Sequence, residues 1–404
     1  MKSFDRPAEI FENEEALRDE WQPNELLERE NELDAYHSAL SPVIRGAPPK
    51  NIFIYGKTGV GKTVATELLL EQLESDADRF DDLDVTSVTL QCNSLNSSYQ
   101  VATHLVNELR PSERPISTTG YPQQTVFNFL WDELERIGGT VIIVLDEIDN
   151  IGTDDDILYE LPRARANGYV ENVKLGVVGI SNDFEFRDNL SPKVKDTLCD
   201  DEIEFSPYNA NELQTILDQR AQFAFQPDVL ACDTIPLCAA FAAQDTGSAR
   251  QAIRLLYKAG EVALECGDKR VNECHVREAE AILRRKQIER GMRNLTTHGH
   301  VVLSAVTIME MQNDTPARTR EIYPEYHRMA KAIDLNPLVE RRIRDHLREL
   351  SLCSVLELKE HNDGYREGSY FEYQLNTSTN TVVNVLSEID RLMPIISPIK
   401  SKYS

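Results

Sequence analysis

The residues with the clearest chemical potential are Gly56-Lys57-Thr58-Gly59-Val60-Gly61-Lys62-Thr63, which satisfy the phosphate-binding loop pattern G-x-x-x-x-G-K-[ST] at every required position. Glycines let backbone N–H groups close on phosphate oxygens without a Cβ in the way, and a helix beginning at the loop aims its positive end at the same place. In that arrangement Lys62 reaches the β- and γ-phosphates and Thr63 holds Mg²⁺. Downstream, the apolar run Val141-Ile142-Ile143-Val144-Leu145 ends in Asp146-Glu147-Ile148-Asp149. A buried strand of this kind delivers Asp146 to the metal and Glu147 to the attacking water, the Walker B signature. A further apolar strand, 174–180, ends in Ser181-Asn182, where the Asn182 amide can reach a γ-phosphate or the water. The chemistry implied is binding of ATP or ADP with Mg²⁺ and hydrolysis, with Glu147 and Asn182 as the candidate catalytic residues.

These residues must be positioned by strands alternating with helices. Strands are expected at 51–55, 85–91, 141–145 and 174–180, and helices at 64–73, 99–109 and 123–136, with a Pro/Ser/Thr/Gly loop over 110–122. The alternation across 51–205 predicts a doubly wound, mostly parallel α/β sheet with ligand at its carboxyl edge. Residues 210–284 read as helical throughout, at 211–224, 235–244, 249–266 and 272–284. A parallel sheet followed by a small helical lid resembles the AAA+ arrangement. In it Asn182 takes the sensor 1 role, and Arg250, at the start of the helix after Thr246-Gly247-Ser248, takes the sensor 2 role toward the γ-phosphate.

Composition narrows the class. The 404 residues carry a net charge of −25, with 43 Lys and Arg against 68 Asp and Glu. Residues 1–286 hold 28 basic and 52 acidic side chains, whereas residues 287–404 hold 15 and 16. An acidic chain of this kind resembles proteins of salt-accumulating halophiles, and its near-neutral last third is relatively basic, as a polyanion partner would require. No apolar run approaches the length of a membrane span, and the N-terminal residues lack the basic-then-apolar layout of a signal peptide, so a cytoplasmic protein with no membrane partner is expected. Seven cysteines without a C-x-x-C pair suit reduced thiols, and Cys274-His275 and His298-Gly299-His300 lack partners at metal spacing.

The last third predicts helices at 298–311, 321–333 and 338–350, the third opened by Pro337, then strands at 354–359 and 369–375. Three helices and a β-hairpin follow the winged-helix order. Arg341, Arg342, Arg344 and Arg348 crowd the third helix, and Tyr365 and Arg366 sit in the wing. Double-stranded DNA is the expected partner, with that helix in the major groove and the wing on the adjacent backbone or minor groove. A solvated, salt-bridged face is the competing reading of the same arginines, because Glu340, Asp345 and Glu349 lie among them.

Over residues 21–375 the chain resembles the archaeal DNA replication initiators related to subunit one of the origin recognition complex and to cell division control protein six. The resemblance rests on Leu27-Glu28-Arg29-Glu30, on Ser206-Pro207-Tyr208-Asn209-Ala210-Asn211-Glu212-Leu213 continuing to Arg220, on Gly247–Arg250 continuing through Leu256, and on Leu338–Leu347. It implies a AAA+ P-loop core over 21–206, a helical lid over 207–286 and a winged-helix domain over 287–404, preceded by a flexible acidic arm at 1–20. It also implies that Tyr208 and Arg220 contact nucleotide, that replication origins are the DNA target, and that the replicative helicase and other initiator copies are partners. Lys193 stands where the family usually carries an arginine able to act on a neighbouring subunit's nucleotide, and a lysine lacks the planar fork that grips phosphate oxygens in pairs. The region 112–121 matches the family's initiator-specific insertion poorly. A nucleotide-regulated winged-helix transcription regulator and another AAA+ remodelling ATPase fit the same motifs.

Overall fold

The computed structural model describes residues 10–111, 114–152, 154–362 and 369–397. The chain divides into two units, Met1–Arg277 and Glu278–Ser404. The division falls within the helix Glu273–Arg293, a few residues before the 286/287 boundary expected from sequence and inside a helical stretch expected to stop at 284.

The first unit is built on a parallel sheet of β1 (Ile52–Gly56), β2 (Val85–Gln91), β3 (Thr140–Asp146), β4 (Lys174–Ser181) and β5 (Asp201–Phe205), in the order β2-β3-β4-β1-β5. All seven residues of β3 are buried, which is why its sequence is continuously apolar rather than alternating. The register aligns the functional ends: Gln91 lies opposite Asp146, Asp146 opposite Ile180, and Tyr55 opposite Ser181. The phosphate-loop residues, Asp146 and Asn182 therefore meet at one carboxyl edge. Helices beyond those expected from sequence, Asp156–Arg163 and Pro192–Leu198, pack against each other and against β4, their short amphipathic turns giving too little periodicity to signal them. The lid follows as helices Ala210–Ala224, Thr234–Asp245 and Ala249–Cys266. Asn209 and Glu212 form a reciprocal capping box at the first of these, and the Ser248 hydroxyl caps the third, fixing Arg250 in its first turn.

Residues 10–20 depart from the expected free arm. Ile10, Ala16 and Leu17 are buried, Phe11 packs 5.0 Å from the Phe225 ring, and Gln226 N–H donates to the Ile10 carbonyl at 3.1 Å. The acidic composition concealed three apolar anchors spaced to reach the lid. Residues 1–9 of the expected arm lie outside the described residues.

The second unit holds helices Thr297–Gln312, Thr319–Ala332 and Glu340–Leu352, then a three-stranded antiparallel sheet of β6 (Ala317–Arg318), β7 (Leu356–Asn362) and β8 (Ser369–Leu375) in the order β6-β8-β7. A helix at Thr379–Leu386, not read from sequence, closes the core with Val382, Val383, Val385 and Leu386. Every residue from Gly299 to Ile308 is buried, so the first helix is the centre of this unit and has no exposed face over that span. The third helix begins at Glu340 rather than at Leu338. Leu338 N–H is committed to the Tyr326 hydroxyl at 3.0 Å and Val339 is extended, which holds the chain off the helix for two residues.

If residues 10–20 are held by buried anchors, Leu17→Ala should loosen them. Trypsin is expected to cut after Arg18 in the variant far faster than in the parent chain, with the remainder of the first unit intact; equal cleavage rates would contradict the docking.

Candidate active site

The phosphate loop leaves β1 at Gly56 and enters the helix Lys62–Ala77 at Lys62, with Gly59 at φ 79° and Gly61 at φ 98°. A Cβ on Gly59 would come within 2.1 Å of Ser248 Oγ, so only glycine lets the loop tip lie under the lid. Its carbonyls are engaged by protein donors. Those of Gly56 and Lys57 each accept from Lys62 Nζ at 2.8 Å, that of Gly59 from Ala249 N–H at 2.9 Å, and that of Val60 from Arg29 Nε at 3.2 Å. Because carbonyl and following N–H point oppositely across a trans peptide, the Val60 and Gly61 N–H groups point away from Ala249 and Arg29. Thr58, Gly59, Gly61, Lys62 and Thr63 line the cavity, whereas Gly56, Lys57 and Val60 enter through their carbonyls.

Lys62 is the charge at the centre. It is 5% exposed, its ammonium also donates to Asn182 Oδ1 at 2.8 Å, and burial pushes its pKa down to about 8 against the opposing pull of Asp146 and Asp149. Asp146 is equally buried; Thr63 Oγ1 donates to its Oδ2 at 2.7 Å, Gln91 Nε2 to the same oxygen at 3.0 Å, and Glu147 N–H to its Oδ1 at 2.9 Å. Thr63 and Asp146 thus present adjacent hard oxygen donors and fit a Mg²⁺ ion. The buried ammonium among neutral oxygens, with the glycine-lined loop beside it, fits a polyphosphate. Glu147 adopts φ 58°, a left-handed conformation costly for a non-glycine residue, and Asn182 Nδ2 donates to its Oε1 at 3.3 Å. Asn182 consequently bridges Lys62 and Glu147.

The far wall is formed by Arg18, Asp19, Trp21, Pro23, Leu26, Leu27, Tyr208, Ile216, Gln219, Arg220, Arg250 and Ile253. Tyr208 is buried, its phenol pushed up to about 12 by desolvation, and its ring carries the Arg29 guanidinium at 3.6 Å. Arg220 lines the cavity but spends its guanidinium elsewhere: it stacks on the Trp21 ring at 3.9 Å and donates to the carbonyls of Ala16 and Trp21, with burial lowering its pKa to about 10. Arg250 is more than half exposed and lies 3.7 Å from Asp19. Lys193 is exposed on its short helix.

In the second unit Ile343, Leu347 and Leu350 bury one face of the helix Glu340–Leu352. All four arginines are exposed, but not on one line. At 100° per residue Arg341, Arg344 and Arg348 form one stripe, whereas Arg342 lies to the side and pairs with Asp345 at 3.8 Å. Arg348 also approaches the Phe371 ring at 5.6 Å. Tyr365 and Arg366 lie outside the described residues.

The sheet order, the carboxyl-edge site and the helical lid define a AAA+ P-loop ATPase, joined in this chain to a winged-helix unit. The AAA domain family matches residues 47–187, the Cdc6 AAA+ ATPase-type lid domain 214–281, and the CDC6 C-terminal winged helix domain 290–385. The chain is 49% identical to the ORC1-type DNA replication protein 11 of Haloarcula marismortui, covering 96% of this chain and 94% of that one. It is 35% identical to the ORC1-type DNA replication protein of Pyrococcus furiosus, covering 97% and 93%. The Aeropyrum pernix ORC1 protein, solved in complex with DNA, superposes with a TM-score of 0.81 at 33% identity over 96% of this chain and 99% of that one. The chain belongs to the archaeal ORC1/Cdc6 family.

Several site residues carry no chemical signal in the sequence. Gln91 reads only as the end of strand β2; Trp21 and Leu26 sit in a lead whose apolar side chains carry no motif. Arg29 lies inside a stretch that marks the family, without a role of its own.

Lys62→Ala should weaken ADP and ATP binding by at least two orders of magnitude, since it removes the cation aimed at the phosphates. In the parent chain, affinity should be flat below about pH 7 and fall as pH rises past about 8, because the deprotonated amine must recover a proton to bind an anion. The linked stability runs the other way. Between about 8 and the ordinary lysine value of about 10.4 the unfolded chain holds the extra proton, so the nucleotide-free protein gains stability as pH rises. Isothermal titration with ADP between pH 6.5 and 9.5 measures the first effect; unchanged affinity in Lys62→Ala would refute the phosphate-loop assignment.

Proposed function

We propose that this chain is an ATP-dependent DNA replication initiator that binds replication origins, uses nucleotide state as a conformational switch, and helps to load the replicative helicase, acting with other copies of the initiator. The observation that carries the reading is the hydrogen-bonded set Lys62–Asn182–Glu147 at the sheet edge, in a chain that also holds a winged helix with an arginine stripe. The ORC1 and Cdc6 relationship of lid and winged helix supports origins as the target rather than promoters.

In this reading the loop N–H groups and Lys62 hold the β- and γ-phosphates, with Thr63 and Asp146 as the metal ligands. Mg²⁺ supplies charge neutralisation on the phosphate oxygens when bound. Glu147 orients and deprotonates the attacking water, and the Asn182 amide, already against Glu147, keeps that carboxylate and the γ-phosphate end of the site in register. Trp21, Leu26, Tyr208 and Ile216 offer an apolar wall for the base. Arg220 acts there through the N-terminal segment it clamps, and Arg250 is the lid's candidate phosphate contact once it leaves Asp19. Turnover is slow because the switch needs commitment, not flux.

Glu147→Gln should leave ADP and ATP affinity within about threefold of the parent and abolish hydrolysis, since the carboxylate acts only on the water. Single-turnover assays with radiolabelled ATP test this, and sustained hydrolysis in the variant would exclude Glu147 as the base.

On DNA, the stripe Arg341, Arg344 and Arg348 carries the groove contacts, and Tyr365 and Arg366 the wing contacts. Alanine at a base-reading arginine of the stripe should cost about 1–3 kcal/mol on an origin duplex and relax sequence discrimination, while a phosphate-contacting one should weaken all duplexes alike. Arg342→Ala should have the smallest effect of the four, its charge being shared with Asp345. Fluorescence anisotropy on origin and random duplexes across a salt series, with chromatin mapping of bound sites, checks the reading. Equal losses at Arg342 and at the stripe, or binding confined to promoters, would oppose it.

A further inference from the structure

Asp149, the third acid of the run Asp146-Glu147-Ile148-Asp149, takes no part in the phosphate, metal or water contacts described above. Its position is nevertheless specific. The left-handed backbone at Glu147 turns the chain out of β3 into a 3-10 turn over Ile148–Ile151, bringing Asp149 back against the end of β4. There Asp149 Oδ1 lies 3.0 Å from Ser181 Oγ and accepts the Asn182 backbone N–H at 3.0 Å. The Ser181 hydroxyl in turn accepts Asp183 N–H at 3.0 Å, closing the turn that leaves the strand.

Asn182 sits where β4 has ended and ladder bonds no longer fix the backbone, yet its side chain must span two partners, Lys62 Nζ and Glu147 Oε1. A hydrogen bond from a backbone N–H to a carboxylate is about twice as strong as a neutral one, and this one acts on the residue whose amide does the spanning. We propose that Asp149 is a positioning residue for hydrolysis, its carboxylate fixing the Ser181-Asn182 backbone so that the Asn182 amide holds Lys62 and Glu147 in one geometry. This rests on the hydrolytic reading of the site given above. Sequence and structure connect here through the spacing of the acids: Asp149, two residues after Glu147, is carried by the 3-10 turn to the neighbouring strand's end.

Two variants separate positioning from charge. Asp149→Ala removes the acceptor, whereas Asp149→Asn removes the charge and keeps an oxygen that can accept the same N–H. Asp149→Ala should lower single-turnover hydrolysis by roughly tenfold to a hundredfold, the range expected for a misplacement of about 1 Å. ADP affinity should stay within about threefold of the parent, and Asp149→Asn should recover most of the rate. A parallel loss of rate, affinity and thermal midpoint in Asp149→Ala, with no recovery in Asp149→Asn, would overturn the proposal in favour of a general structural role. Glu147→Gln serves as the control: if parent and Glu147→Gln are equally inactive, the hydrolytic reading has failed. The positioning claim is judged separately, on nucleotide-free crystals of Asp149→Ala. An Asn182 amide displaced from Lys62 and Glu147 sustains it, and one that keeps both contacts refutes it.

Discussion

A buried lysine ammonium that its surroundings undercompensate is the constraint on which the first unit depends. Lys62 is almost wholly removed from water, and its partners at hydrogen-bond distance are three neutral oxygens. The acids Asp146, Asp149 and Glu147 pull its pKa up, but burial outweighs them and leaves it near 8. Such a charge persists only if the fold over-determines its place, and the fold does so with two strand ends, a glycine loop and the amide of Asn182. The same undercompensation makes the site a receptor, because an incoming phosphate supplies the negative charge that the protein withholds.

The parallel sheet and the loop and strand-end residues gathered at its carboxyl edge were legible because each is written locally. A strand buried on both faces is apolar throughout, and glycines with a following lysine must be adjacent to wrap an anion. The unread parts depend on contacts made across the chain. Arg29 reaches Val60 and Ser206 through their backbone carbonyls, 31 and 177 residues away, and Arg220 reaches Ala16 across 204. A carbonyl acceptor exists at every position, so no residue type announces it. The resemblance to initiators named Tyr208 and Arg220 as nucleotide contacts; the packing gives Tyr208 a cavity wall and gives Arg220 the task of pinning the N-terminal segment that completes that wall. The docked segment itself was hidden because three apolar side chains among acids do not make a periodicity.

The winged-helix unit shows the complementary case, in which composition left two readings of one helix and angular position separates them. Arg342 belongs to the salt-bridged face that the nearby acids suggested, and Arg341, Arg344 and Arg348 do not share it. Tyr326 contributes from a distance: its hydroxyl accepts Leu338 N–H and contacts His298 Nδ1 at 2.8 Å, tying the approach to this helix to the central helix of the unit. Pro337 looked like a helix start and is instead part of the strut that sets where the helix begins.

Charge sets the terms on which an acidic chain can hold DNA. Residues 1–286 carry an excess of 24 acidic side chains and residues 287–404 an excess of only one. At low ionic strength, where the Debye length is about 30 Å at 0.01 M, the acidic excess opposes approach of a polyanion even though the arginine stripe attracts it. At 1 M the screening length is about 3 Å, so the distant repulsion vanishes while contacts at hydrogen-bond distance survive in part. Added salt therefore weakens each phosphate contact through counterion competition and at the same time removes the opposing long-range field. The two effects partly cancel, and the affinity of such a protein depends less on salt than a count of its phosphate-facing arginines would suggest. In the proposed binding mode, specificity then rests on whichever of the three stripe arginines read base edges in the groove.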